Sequence, residues 1–237
     1  MPHAIMPDFT KRHRSEDLQQ EIQPIIHIKN KQVFAYESMV NLAPPIKKLN
    51  GLSPTYTSDR DTLLSNKIYI QKGMALFRKK LDKSTKNNAL LFLKVNQSVF
   101  LSPYFISFIE TILSLFALQP RQIVFEIKES KQTRDHPLLL EAIHHFSQLG
   151  FHFALGGIQA VTLETFKSLL ELQPNYLKIS GELLAHLDYY AKKQKMLEKL
   201  SSFCKDEQID LIVEGVQSIT NFAAIKALSI PYAQGAL

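Results

Sequence analysis

Two rhythms of apolar and polar residues organise this chain. Near the start, the apolar runs "EIQPIIHI" and "QVFAYESMV" flank the polar turn "KNK", a spacing that predicts a β-hairpin. Just before them, Ser15 followed by "EDLQQ" reads as a capped short helix. A loop rich in Pro, Gly and Ser, "APPIKKLNGLSPTYTS", separates the hairpin from a helix over residues 60–81. Short apolar runs then recur: "ALLFLKVN", "QIVFEIKE", "FHFALGG", "NYLKIS", "IDLIVEG" and "IPYAQGA". Apolar residues at helical spacing fill the gaps at 136–149, 162–172, 181–204 and 218–228, the first ending at Gly150 as a C-cap.

Alternation of strand and helix implies parallel pairing, because each crossover helix returns the chain to the same end of the sheet. Six runs and the hairpin make eight strands. The expected fold is therefore α/β, a TIM-like (β/α)8 barrel in which one or two opening strands run against the rest. Chemistry in such barrels collects at the C-terminal strand ends. Read in order, those ends carry Glu37, Asn96, Glu126, Gly156 with Gly157, Lys178, Glu214 and Gln234. Three carboxylates, two amides and a lysine would converge on one mouth, and the carboxylate and amide oxygens suit hard cations such as magnesium or manganese. The glycine pair is the exception. On the sequence alone it reads as a turn requiring positive φ.

Composition narrows the choice. With 45% hydrophobic and 21% charged residues, the 237-residue chain builds a full core rather than a disordered segment. One cysteine, Cys204, excludes a disulfide framework, and with no apolar signal region at the N-terminus a cytoplasmic address is expected. The most apolar helix candidate, "YFISFIETILSLFAL", is short and carries Glu110, so no membrane span is expected. The net charge of +6 is diffuse apart from "KRHR", without the interleaved aromatics of a nucleic-acid surface. His144 and His145 diverge on a helix, and His27 and His152 lie in apolar strands, so no zinc spacing exists.

Six segments in order resemble the EAL domain, a cyclic di-GMP phosphodiesterase family. They are "QPIIHIKNKQVFAYESMVNL", "KVNQS", "FEIKES", "YLKIS", "VEGVQS" and "YAQGAL". The resemblance runs from residue 15 to the end, with residues 1–14 expected as a flexible tail. It implies an EAL-type barrel with an antiparallel first strand. It places Glu37, Asn96, Glu126 and Glu214 at metal-binding positions and Lys178 at the lysine that positions attacking water. Gln234 falls at a residue lining the site, and Glu129 at a glutamate that steadies the loop after the next strand.

The departures from the family pattern are as informative. Gly156 and Gly157 replace an Asp-Asp pair that joins two metal ions. Ser180 replaces an aspartate, Gln217 a glutamate, Ser38 and Met39 the Ala-Leu of the signature, and Asn41 an arginine that contacts a ligand phosphate. A closing C-terminal helix is expected to be absent. Two dications about 4 Å apart repel by roughly 17 kcal/mol at an effective dielectric near 20, and bridging acids normally offset that.

The resemblance therefore implies a catalytically inactive EAL-like protein. It would need no cofactor, with room for one weakly held magnesium or manganese ion. The first functional reading is a cyclic di-GMP receptor. Gln23, Glu37, Asn96, Glu214 and Gln234 would touch guanine or ribose, and Lys178 a phosphate. The second is a regulator acting through a protein partner or a second copy without nucleotide. An active phosphodiesterase is the third.

Overall fold

The structure, a computed structural model, describes residues 18–42, 59–81, 88–129, 137–158, 160–185 and 190–235. The opening hairpin is present as β1 (Leu18–His27) and β2 (Val33–Leu42), followed by α1 (Asp59–Leu81). Then come β3 (Leu90–Lys94), α2 (Gln97–Phe100), α3 (Phe105–Phe116) and β4 (Ile123–Lys128). The second half runs α4 (Pro137–Gln148), β5 (His152–Ile158), α5 (Leu163–Leu172) and β6 (Tyr176–Ser180). It finishes with α6 (Ala191–Asp206), β7 (Asp210–Val216), α7 (Ile219–Ala227) and β8 (Tyr232–Gly235).

The eight strands close into a barrel in sequence order. β1 is antiparallel to both neighbours, β2 and β8, and every other pair is parallel. A single strand is thus reversed, because the short turn after His27 leaves β2 already pointing the way the crossover helices require.

Strand periodicity of two divides the apolar residues into two cores. Ile25, Ala35, Phe92, Val124, Ala154, Tyr176 and Ile212 fill the barrel, with Phe34 and Tyr232 stacked beside them at a ring separation of 4.0 Å. The alternate positions, Leu91, Leu93, Ile123, Phe125 and Ile127 among them, face the helices. Phe100 anchors that outer layer, its ring 4.8–5.8 Å from those of Phe105, Phe125, Phe146 and Phe153. The helices start where their capping chemistry allows. Thr162 accepts a hydrogen bond from the Thr165 N–H, and Ser218 from the Asn221 N–H.

Several expectations need correction. Leu18–Gln20 extend β1 rather than a helix, because this stretch pairs with β2 down to Leu18–Leu42. Ser15 lies outside the described residues, as does the expected tail. The expected helix over 181–204 is divided into a 3-10 turn at Gly181–Leu184 and α6, which begins only at Ala191. Ser180 starts the turn by accepting from the Glu182 N–H, and Ala185 follows in extended backbone. Gly156 and Gly157 do not form a turn after β5 but lie within it. They sit at an irregularity in its register with β6, and only Gly157 has positive φ, +75°. The segment after Gly235, on which the closing-helix expectation rests, lies outside the described residues. Among the described residues, no helix is long and apolar enough to cross a membrane.

Candidate functional site

One step of two residues beyond the apolar filling of the barrel reaches the mouth. From Ala35, Phe92, Val124, Ala154, Tyr176, Ile212 and Tyr232 that step gives Glu37, Lys94, Glu126, Gly156, Lys178, Glu214 and Gln234. On β1, which runs the other way, the same step from Ile25 leads back to Gln23. The polar ring therefore follows from strand parity, not from loops.

Lys178 stands at its centre. Its side chain is fully buried, and its Nζ donates to Glu37 Oε2 at 2.6 Å and to Glu126 Oε2 at 2.7 Å. A third contact reaches Glu214 Oε2 at 3.1 Å. The three glutamates bring carboxylate oxygens within 4.8 Å of one another. A second ammonium, from Lys94, lies 2.8 Å from Glu37 Oε1 and 3.8 Å from Glu126 Oε1. Three carboxylates thus meet two ammonium groups, leaving one net negative charge.

The electrostatics follow from who touches whom. Burial pushes the Glu37 carboxyl up, but Lys178 and then Lys94 outweigh it and hold it at about 2. Glu126 is raised instead. Its burial dominates, Lys178 opposes, and the adjacent Glu37 charge adds to the rise. The difference is geometric, since Glu37 has an ammonium within 2.8 Å of each oxygen, whereas Glu126 has Lys178 at 2.7 Å from Oε2 but Lys94 only at 3.8 Å from Oε1. Burial would lower the Lys178 ammonium, yet Glu126, Glu37 and Glu214 hold it above its ordinary value, and so firmly protonated. Lys94 is raised as well: burial opposes, and Glu126 and Glu37 prevail.

The glycines shape the same place. A Cβ built on Gly156 would overlap the Glu126 carboxylate, with Cδ at 2.8 Å and Cγ at 2.9 Å. The Glu126 side chain thus lies in the space a side chain at 156 would need. A Cβ on Gly157 would come within 2.9 Å of Lys128 Cγ, in a backbone conformation that already disfavours side chains.

Ser38, next to Glu37, is built into its surroundings. Ser38 is buried, and its Oγ accepts from Gln20 Nε2 at 2.8 Å. The same Gln20 amide donates to the Tyr69 carbonyl at 2.7 Å, and the Tyr69 hydroxyl donates to the Ser38 carbonyl at 2.6 Å. These bonds tie α1 to β2 directly behind Glu37. The close approach also needs Gly73, where a Cβ would stand 2.9 Å from Ser38 Oγ.

The remaining expected residues divide into three groups. Gln23 and Gln234 meet across β1 and β8, with Gln234 Nε2 donating to Gln23 Oε1 at 3.0 Å and approaching Met39 Sδ at 3.8 Å. Gln234 is buried, and its Oε1 has no hydrogen-bond partner. Glu129 fastens β4 to its neighbours: its N–H donates to the Gly156 carbonyl at 2.8 Å, and its Oε1 accepts from Ser168 on α5 at 3.4 Å. Asn96 and Gln217 are exposed, Asn96 does not use its side chain to cap α2, and Ser180 is occupied in its own turn. The side chain of Asn41 lies outside the described residues.

Lys94 is the site residue that the motif reading missed. The signal was present, since Lys94 shares strand parity with Phe92 and with Asn96.

Comparison with known proteins adds four findings. The EAL domain model matches residues 8–237. The chain is 26% identical over 121 residues to cyclic di-GMP phosphodiesterase PdeB of Shewanella oneidensis, covering 51% of this chain and 14% of that protein. It is 26% identical over 161 residues to the blue light- and temperature-regulated antirepressor BluF of Escherichia coli K12, covering 66% and 37%. The EAL enzyme Bd1971, solved with cAMP and cyclic di-GMP bound, superposes over 93% of this chain and 61% of its own with a TM-score of 0.79 at 16% identity. The chain thus spans well under half the length of either of those curated relatives, and the structural likeness bears on the fold.

Proposed function

Since the chain belongs to the EAL domain family, we propose that it is a catalytically inactive member acting as a cyclic di-GMP-responsive receptor and regulator. It would bind its ligand without two-metal hydrolysis. The observation that carries this reading is the joint state of Gly156 and Glu126. The chain supplies no carboxylate at 156 or 157, and the Glu126 side chain occupies the space such a group would need. The donor set also fails to fit a pair of divalent ions. Lys178 contacts an oxygen of each of the three glutamates, and Lys94 sits against the other oxygen of Glu37. Three acid oxygens within 4.8 Å leave at most one weak magnesium or manganese site, in competition with two ammonium groups.

Ligand binding is supported by the same geometry. A bare acid cluster would repel a dinucleotide phosphodiester, whereas this one is largely neutralised. Glu214, partly exposed, and the Gln23–Gln234 pair offer hydrogen-bonding groups suited to a guanine edge or ribose hydroxyls. The unpartnered Gln234 Oε1 is an acceptor for such a ligand. A second reading, a regulator working through a protein partner or a second copy, draws on the likeness to BluF, an antirepressor.

Isothermal titration with cyclic di-GMP, with and without magnesium, tests the reading. Binding at micromolar or lower concentration in both conditions is expected. No heat at high ligand sends the function to the partner reading. Linear product formation from cyclic di-GMP with manganese would overturn the inactivity itself.

A further inference from the structure

The two lysines of the mouth differ in their freedom. Lys178 is fully buried and contacts all three glutamates. Lys94 extends from the last residue of β3, and its side chain is 50% exposed. Its stem is anchored at the backbone, where its N–H meets the Tyr69 hydroxyl at 3.4 Å. Its ammonium lies 2.8 Å from Glu37 Oε1 and 3.8 Å from Glu126 Oε1 on the open side of the cluster. The contact is made by a half-exposed, flexible and compact ammonium, of the kind that can exchange one acceptor for another.

A cation facing two acid oxygens at the mouth of the barrel stands where a divalent ion would bind. We propose that Lys94 is a tethered cation in the place of a metal ion. It excludes divalent ions from the Glu37–Glu126–Glu214 cluster and makes the site independent of metal, leaving the ammonium free to turn to a ligand phosphate. Removing it would leave Glu37 and Glu126 with a single ammonium between them, and the freed oxygens Glu37 Oε1 and Glu126 Oε1 are hard donors suited to magnesium or manganese. Lys94 thus decides which kind of cation the mouth accepts. Its role deepens the receptor reading and rests on it only for the phosphate contact.

The test compares the full chain with Lys94→Gln, Lys94→Met and Lys94→Arg, checking each by thermal melting. Manganese binding is read without nucleotide from the loss of the free-ion electron paramagnetic resonance signal. The neutral variants are expected to bind one manganese ion about tenfold or more tighter than the parent, and Lys94→Arg to stay like the parent. Lys94→Met stands in should Lys94→Gln fail to fold. Equal manganese affinity in the parent and in a folded neutral variant would overturn the proposal, as would stoichiometric manganese binding by the parent at micromolar concentration. A parallel titration with cyclic di-GMP judges the receptor reading separately. A neutral variant that gains manganese while no protein binds nucleotide retains the metal-excluding role and refutes the receptor.

Discussion

Replacing Lys178 with methionine is the most direct probe of the barrel mouth. The change keeps an unbranched stem of similar length but deletes the ammonium that lies 2.6 Å from Glu37, 2.7 Å from Glu126 and 3.1 Å from Glu214. Glu37 and Glu126 are buried, so their charges are left in the barrel with only the half-exposed Lys94 to oppose them. Removing one partner of a buried ion pair costs about 3–5 kcal/mol. For a domain of this size each kcal/mol moves Tm by roughly 2–4 °C, so the variant should melt about 6–20 °C lower at neutral pH. The deficit should shrink as pH falls. Without Lys178, Glu37 loses the main influence that depresses it and, with Glu126 already raised, takes up a proton at higher pH. Adding Glu37→Gln and Glu126→Gln to Lys178→Met should recover most of the loss, since it is an uncompensated charge rather than a missing contact. Differential scanning calorimetry across pH 5–8 would measure this. A Lys178→Met protein melting within about 2 °C of the parent at pH 8, or a triple variant no more stable than the single one, would refute the reasoning.

Three further outcomes follow from the same structure. Gly156→Asp is expected to lower stability and not to confer manganese-dependent hydrolysis of cyclic di-GMP, because its side chain meets the Glu126 carboxylate; thermal melting and a turnover assay read the two effects. Glu37, held at about 2 against an ordinary 4.5, contributes stability that is present above pH 4.5 and lost as pH falls towards 2. The shift corresponds to about 3 kcal/mol, so urea titrations should show a shallower acid-side loss for Glu37→Gln than for the parent. Cys204, buried and with its thiol pushed up to about 12, should react with a thiol reagent only as fast as the protein opens, and its rate should rise with urea before global unfolding.

The polar ring was legible because a strand repeats every two residues. Phe92, Val124, Tyr176 and Ile212 mark the inward face, and the next inward positions name Lys94, Glu126, Lys178 and Glu214. Motif spacing found three of these four and passed over the lysine, since no local pattern distinguishes a lysine facing acids from one facing water. The short helix expected over residues 16–20 failed at Leu18–Gln20 for a related reason. Its local signal was polar and capped, but pairing with β2 supplied the backbone partners that decided the matter.

From the chain alone, then, came the alternation of strand and helix, the eight-strand count and the absence of carboxylates at positions 156 and 157, all properties of local periodicity or of residue identity. Tertiary structure decided what surrounds those positions. Closure of the barrel brings Glu37 and Lys178, 141 residues apart, within 2.6 Å. It lays the Glu126 side chain across the space above Gly156 and sets Lys94 against two carboxylates. Charge pairing acts across space rather than along the chain, so the balance at the mouth exists only once the last strand has met the first.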